Sequence, residues 1–170
     1  DGEFNAPFGL TQSITTTALI ADANNRRVAN FAAGDFVDVI GEFGEGDGQF
    51  LRPIGVAINP TTGQIYVTDI DRHRVQRFSS AGDFEIGFGN FGFGNQQFSS
   101  PHAVAIDPVS DEVFVADTNN HFIKRLSANG FFFERFGVVG GCSGNGQFRN
   151  PRGLVFDADR NIVVADTGNN

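Results

Sequence analysis

The sequence repeats itself with a period of about 48 residues, and this repeat limits the folds that the chain can adopt. A proline recurs at spacings of 46, 48 and 50 residues, a phenylalanine precedes each proline by three residues, and an aspartate follows each proline by 15 or 16. The prolines are Pro7, Pro53, Pro101 and Pro151, the phenylalanines are Phe4, Phe50, Phe98 and Phe148, and the aspartates are Asp22, Asp69, Asp117 and Asp166. Each period is therefore expected to be one structural unit, and the units are expected to share one fold.

The second period, which begins at Phe50, contains four short stretches with the pattern of β-strands. Residues 55–58 form a continuous apolar run, and residues 64–68, 74–78 and 83–88 alternate apolar with polar side chains. The residues between them are the Asn, Asp, Ser, Gly and Pro that are typical of turns. Each period is thus predicted to be a four-stranded antiparallel sheet whose first strand is the innermost.

One such sheet cannot bury both of its faces, and repeats of this length stack around an axis in β-propellers. We predict an all-β fold and one domain over residues 1–170, with blades at about 4–49, 50–97, 98–147 and 148–170. The fourth blade is incomplete, and residues 1–4 match the link between blades at residues 47–50. The chain is therefore expected to be a fragment of a larger ring, with a ring assembled from several copies as the alternative.

The repeated motifs resemble the NHL repeat over essentially the whole chain. Asn120-His121 is the name-giving pair of that family, residues 116–121 are close to its signature, and residues 165–170 are closer still. The resemblance implies a propeller, most often with six blades. The first blade departs most from the pattern, since residues 10–14 are more polar than their counterparts and Thr15-Thr16-Thr17 replaces the usual Pro/Gly turn.

The candidate site residues are those that follow the four prolines and enter the innermost strands, namely Phe8, Ile54, His102 and Arg152. In a propeller this position faces the central channel or its mouth. Some enzymes with NHL-like propellers hold zinc with inner-strand histidines, so the resemblance makes His102 a candidate ligand. A catalytic zinc needs about three protein ligands, which Phe8 and Ile54 cannot supply, and Arg152 would repel the ion. We therefore interpret His102 as a polar residue that lines a channel entrance.

The repeated aspartates are interpreted as structural turn residues. Each ends a second strand, where a short carboxylate accepts N–H groups from the turn that follows. Residues 157–161 resemble the opening of a calcium loop, but the twelfth position is Gly168 instead of an acidic residue, so a turn is predicted. His73 and His121, which precede two third strands, are also given a structural role. No cofactor is predicted, and zinc or calcium stay as the alternatives.

The charge of the chain limits its partners. The formal net charge is −8, and Lys124 is the one lysine. An acidic chain without a basic stripe is a poor match for a phosphate backbone, and Arg72, Arg74 and Arg77 are interpreted as exposed arginines beside acidic residues. Cys142 is the one cysteine, so it has no intrachain disulfide partner and is interpreted as a loop residue. We predict no nucleic-acid partner, and no membrane insertion because apolar runs are short.

These residues do not form a recognisable catalytic group, so we predict a non-catalytic binding module that presents loops to a protein, peptide or glycan partner. The first alternative is a metal-assisted lyase or hydrolase with its site in the central channel. The second is a self-assembling structural protein in which the half-blade at Phe156–Asn170 is completed by the next copy. The acidic, lysine-poor composition resembles that of secreted propellers, so we predict an extracellular or cell-surface location.

Overall fold

The structure is a computed structural model, and it describes residues 3–12 and 17–169. The predictions made for residues 1, 2, 13–16 and 170, among them those for Thr15, Thr16 and Asn170, lie outside the described residues. In chain order the strands are β1 Pro7–Gln12, β2 Thr17–Asp22, β3 Arg27–Ala32, β4 Asp35–Ile40, β5 Glu42–Phe43, β6 Gln49–Phe50, β7 Pro53–Ile58, β8 Ile65–Asp69, β9 Arg74–Phe78, β10 Phe84–Phe88, β11 Pro101–Ile106, β12 Val113–Asp117, β13 Phe122–Leu126, β14 Phe132–Phe136, β15 Pro151–Phe156 and β16 Ile162–Asp166.

Strands that follow one another in the chain pair with one another. They form three four-stranded antiparallel sheets, β1 to β4, β7 to β10 and β11 to β14, and a two-stranded fourth sheet, β15 and β16. The short strands β5 and β6 pair in parallel in the link before the second sheet. Helical structure in the described ranges is confined to single 3-10 turns at Ala23–Asn25 and Thr118–Asn120, and none of it is long and apolar enough to cross a membrane. The prediction of all-β, four-stranded antiparallel repeats is confirmed.

The core lies between successive sheets. The first strands are neighbours, with β1 against β7, β7 against β11 and β11 against β15. Apolar side chains from facing sheets form at least one cluster at each interface, and Phe50 and Phe98, which precede the first strands, are fully buried in two of these clusters. Burial decreases outward, since β8 is buried throughout whereas β10 alternates half-buried with exposed residues. The fixed Phe-x-x-Pro spacing thus places one ring between each pair of complete sheets.

The first strands of the second and third sheets approach each other closely at Gly55. A Cβ atom on Gly55 would lie 2.2 Å from the carbonyl oxygen of His102. Beside it, the Thr68 hydroxyl accepts a hydrogen bond from the Gly55 N–H at 2.8 Å and donates one to the His102 carbonyl at 2.6 Å. A residue without a side chain is required here, and the contact fixes the backbone that carries His102.

A buried or half-buried cation holds the link that precedes each complete sheet. Arg27 donates to the Glu3 carbonyl at 2.9 Å, and Arg74 donates to the carbonyls of two link residues at 2.8 Å each. Arg74 is buried, which corrects the prediction that the third-strand arginines are exposed. The neighbouring predicted arginines have ion pairs instead, Arg77 with Glu85 at 2.8 Å and Arg72 with Glu45 at 3.1 Å.

The third sheet reaches the same arrangement from a different position in the sequence. Its residue equivalent to Arg74 is Phe122, and the cation is Lys124, two residues later. The Lys124 ammonium is fully buried, lies 2.8 Å from the Asp117 carboxylate and donates to the carbonyls of Gly94 and Gln97 in the link. The link carbonyls need a buried donor, and a cation on either position supplies it.

Candidate binding site at the inner strands

Antiparallel pairing gathers several parts of each repeat at one end of its sheet. In the second repeat, Pro53 at the start of β7 pairs with Asp69 at the end of β8, which pairs with Arg74 at the start of β9. The end of β10 lies at the same end, because Phe88 pairs with Val75. We call this end of the sheets the entry face. It carries the starts of the first strands, the turns between second and third strands, and the links between sheets.

A cavity of about 410 Å³ lies between the first strands at the entry face, and we call it the entry cavity. Phe8, Ile54, His102 and Arg152 all line it, so the structure brings the four candidate residues together around one space. Ile54 is buried, His102 is half-buried, and Phe8 and Arg152 are exposed. The remaining wall is mostly apolar and includes Leu154. Such a cavity, with an apolar wall and few polar groups, is typical of a ligand site.

His102 is a neutral imidazole at pH 7. Burial lowers the pKa of His102 below its usual value, and the charges of Arg152 and Arg52 lower it further against the opposing hydrogen bond to Ser100. Its Nδ1 atom lies 3.0 Å from the carbonyl oxygen of Ser100, which can only accept. We therefore assign the proton to Nδ1 and leave Nε2 as an unprotonated acceptor.

Arg52 also belongs to this site, and the sequence analysis did not identify it. It precedes Pro53 and is exposed, and its positive charge lowers the pKa of His102. In the next two repeats the residues before the proline are Ser100 and Asn150, both with φ near +50°, at 52° and 51°. Their N–H groups donate to the Nδ1 atoms of His73 and His121 at 3.0 Å each.

The first repeat has Arg26 where the others have His73 and His121, so no imidazole reaches Arg52. The Arg52 N–H donates instead to the Asp69 carboxylate at 2.9 Å. The repeat pattern did not identify Arg52, because the pattern marked the residue after each proline and Arg52 stands before its proline. The two histidines themselves each connect the turn before a third strand to the start of the next first strand.

The repeated aspartates accept backbone N–H groups, but from a different segment than predicted. The donors precede the first strand, whereas the turn after the aspartate was expected to supply them. The reason is that each aspartate lies opposite a proline in the first strand, and the residues just before that proline have no other strand to pair with. The pairs are Asn5 with Asp22 at 2.7 Å, Arg52 with Asp69 at 2.9 Å, Ser99 with Asp117 at 2.7 Å and Arg149 with Asp166 at 2.6 Å.

The acidic turn at residues 157–161 forms its own hydrogen bonds. The Asp157 carboxylate accepts from the N–H groups of Asp159 at 2.9 Å and Asn161 at 2.8 Å. Across residues 3–12 and 17–169, no three His, Cys, Asp or Glu side chains gather in the way that a metal site requires. Within the described ranges His102 thus belongs to no group of three such side chains.

The links on the entry face expose aromatic rings. Phe43, Phe91 and Phe93 have 63%, 61% and 71% of their surface exposed. Two of these rings are supported by the turns beside them, since Arg26 lies 4.4 Å above the Phe43 ring and the rings of His73 and Phe91 are 4.9 Å apart. The entry face therefore combines a cavity with supported, exposed aromatic side chains.

Comparison with known families identifies the repeat. A family model for the NHL repeat matches residues 50–78, 98–126 and 148–170. The chain contains NHL repeats. The matched stretches cover the first three strands of the second and third sheets and the two strands of the fourth. The first sheet lies outside them, and its sequence is the one that departs most from the NHL pattern.

A curated relative shares part of this repeat region. The chain is 33% identical to the protein brain tumor of Drosophila melanogaster over 81 residues, which are 46% of this chain and 8% of that protein. The chain therefore spans less than a tenth of the length of this relative, and the similarity concerns the repeats alone.

Solved structures with the same fold have varied functions. A catalytically inactive virginiamycin B lyase from Staphylococcus aureus with quinupristin matches with a TM-score of 0.72 and 15% identity, over 98% of this chain and 51% of its own. A gluconolactonase from Xanthomonas campestris matches with 0.72 and 16%, over 97% and 56%. An auxiliary nutrient binding protein from Bacteroides thetaiotaomicron matches with 0.65 and 16%, over 95% and 45%. At these identities the matches show the β-propeller fold alone, and the chain spans about half of each structure.

Proposed function

We propose that this NHL-repeat segment is a non-catalytic binding module whose protein, peptide or glycan partner docks on the entry face. The observation that carries the proposal is the entry cavity, whose mouth combines exposed Arg152 and Phe8 with neutral His102. Aromatic and arginine side chains are enriched in protein interfaces, and Trp, Tyr and Arg are enriched among the few residues that dominate the binding energy. The exposed rings of Phe43, Phe91 and Phe93 extend this surface outward along the links.

The links are suited to binding because their backbone is held in place. Link carbonyls accept from buried Arg74 and Lys124. In the links before the second, third and fourth sheets a glutamine carboxamide accepts from the N–H three residues before it, as Gln49 does from Gly46 at 3.1 Å and Gln97 from Gly94 at 3.0 Å. A loop that is already ordered loses less conformational entropy when a partner binds. The entry face is thus a preorganised surface.

Selection from a displayed peptide library and a glycan array tests the proposal. Peptides or glycans that bind the wild-type chain are expected to lose about tenfold or more in affinity with Phe93→Ser, because exposed aromatic contacts of this kind contribute more than 1 kcal/mol. Val109→Ser is the matched control, since Val109 is 69% exposed in a turn at the opposite end of the sheet. Equal losses with both variants, or failure to select any ligand, would contradict the proposal.

A metal-assisted lyase or hydrolase is the second candidate, and the state of His102 is the observation that favours it. An imidazole with Nδ1–H bound to a backbone carbonyl presents Nε2 in the form that metal ions bind. Zinc titration followed by the ring signals of His102 tests it, with His102→Gln as the control. Micromolar binding that His102→Gln abolishes would favour the enzyme. Self-association, to be read from mass at increasing concentration, and the extracellular or cell-surface location stay predictions.

A further inference from the structure

We propose that Arg52, His102 and Arg152 form a subsite for a single carboxylate group at the mouth of the entry cavity, and that a peptide partner supplies this group. The inference rests on the proposed function, because it names the chemistry that the entry face recognises. Arg152 and His102 line the cavity, and Arg52 lies one residue before the β-strand that carries Ile54 into it.

The two arginines are available for a ligand. Within the described residues, neither guanidinium has an ion-pair partner, although five other arginines pair with carboxylates at 3.1 Å or less: Arg27, Arg72, Arg77, Arg125 and Arg160. Both Arg52 and Arg152 are exposed. In a chain with a formal net charge of −8, the unpaired guanidinium of Arg152 in the cavity wall and that of Arg52 just before β7 are a local excess of positive charge.

The charges act on the same point. Arg52 and Arg152 belong to different repeats, and both lower the pKa of His102, which lies between them in the chain of first strands. An anion placed among the three side chains would form charge-assisted hydrogen bonds to the guanidinium groups, which are stronger than neutral ones. It would also raise the pKa of His102, because an opposite charge nearby favours the imidazolium.

A single carboxylate fits this site better than a polyanion does. The overall charge of −8 repels a chain of phosphates, whereas one carboxylate interacts mainly with the arginines within its screening distance of about 8–10 Å. The cavity wall beside the arginines is apolar and includes Ile54 and Leu154. A carboxylate next to an apolar side chain, as at the C-terminus of a peptide, matches both parts of the site.

The test uses N-acetyl-Gly-Gly-Leu as the free acid and as its C-terminal amide, with inorganic phosphate as a second anion. Each is titrated into the chain while NMR follows the Nε–Hε signals of Arg52 and Arg152 and the ring signals of His102. We expect the acid to shift all three and to raise the pKa of His102. We expect the amide to bind at least about tenfold more weakly, the loss typical of a removed charge-assisted hydrogen bond.

Variants separate a local site from the diffuse field of the protein. Arg52→Gln and Arg152→Gln are each expected to weaken binding of the acid by about tenfold and to leave the amide unchanged. Arg149→Gln is the matched control, because Arg149 is exposed, has no ion-pair partner among the described residues, does not line the cavity and, unlike Arg52, is not among the charges that lower the pKa of His102. It is expected to change binding by less than about twofold, as a screened surface charge does.

Three results would overturn the subsite. The first is equal binding of acid and amide, and the second is an equal loss of affinity with Arg149→Gln. The third is that 10 mM acid shifts the signals of none of the three side chains, which would place the dissociation constant far above about 1 mM. Tighter binding of phosphate than of the acid would reassign the subsite to phosphate and end the carboxylate proposal. The subsite and the binding function can be tested apart. If library peptides need Phe93 but no carboxylate, the subsite is wrong and the proposed binding function is still supported.

Discussion

Replacing Lys124 with methionine would remove the charge that holds the link before the third sheet. The ammonium is fully buried, pairs with Asp117 at 2.8 Å and donates to two link carbonyls. In Lys124→Met the Asp117 carboxylate keeps its bonds from the Ser99 N–H at 2.7 Å and the Asn120 amide at 2.8 Å but loses its counter-charge. Removing one partner of a buried pair costs about 3–5 kcal/mol of unfolding free energy.

Urea unfolding measures this loss. With a slope of about 2 kcal/mol per molar urea, the midpoint is expected to fall by about 1.5–2.5 M. The double variant Asp117→Asn/Lys124→Met removes both charges and is expected to lose less than Lys124→Met alone, which a double-mutant cycle reports as coupling. Moving the cation to its place in the second sheet, with Phe122→Arg/Lys124→Gln, is expected to recover at least half of the loss. A loss below about 1 kcal/mol in Lys124→Met would refute the reasoning, since that is the range of a surface pair.

Three further predictions concern the inner strands. Gly55→Ala is expected to lower the free energy of unfolding in the urea assay by about 1–3 kcal/mol, because the new Cβ would overlap the His102 carbonyl. Gly87→Ala is the control and is expected to be tolerated, because its Cβ would meet no atom within 3.7 Å. Thr68→Val removes the hydroxyl that bonds the Gly55 N–H and the His102 carbonyl. Thermal unfolding is expected to show a loss of about 1–3 kcal/mol of unfolding free energy, whereas Thr61→Val, at an exposed position, is expected to change it little. Folding lowers the pKa of His102, so between about pH 6.5 and the lower folded pKa the unfolded state binds more protons at this residue. The free energy of unfolding is therefore expected to fall as the pH falls through this range. His102→Gln is expected to reduce this pH dependence, and an unchanged dependence of the unfolding free energy on pH would contradict the assignment.

The fold could be read from the sequence because the repeat shows the same pattern several times. The apolar run and the alternation in the second period predicted strands within one or two residues of β7 to β10. A weak signal in one repeat was supported by the same signal in the next. The six-bladed ring and the blade boundaries stay predictions.

The partners of the polar side chains could not be read in the same way. The aspartates were recognised as structural, but their N–H donors lie 17 or 18 residues earlier in the chain, across a strand pair, and local turn chemistry pointed to the wrong segment. Arg74 was expected on the surface because arginine is rarely buried without a partner, and its partners are link carbonyls that no sequence pattern marks.

The entry cavity shows the same limit. The position after each proline predicted that Phe8, Ile54, His102 and Arg152 face a common space, because a repeated position recurs at one place on every sheet. Arg52 was missed because it stands before its proline, whereas the repeated position that marked the candidate residues stands after it. A position shared by all repeats could therefore be placed from the sequence, whereas a residue outside the shared pattern could not.

The buried cation also tells where a repeat begins for the purpose of protein engineering. Arg74 in β9 binds the carbonyls of Gly46 and Gln49, so the link belongs energetically to the sheet that follows it. A cassette cut at Phe50 would therefore separate the loop from the side chain that shapes it. A cassette that starts near Gly44 and keeps its own third strand carries both, and arrays with interchangeable entry-face loops should be assembled from units of that kind.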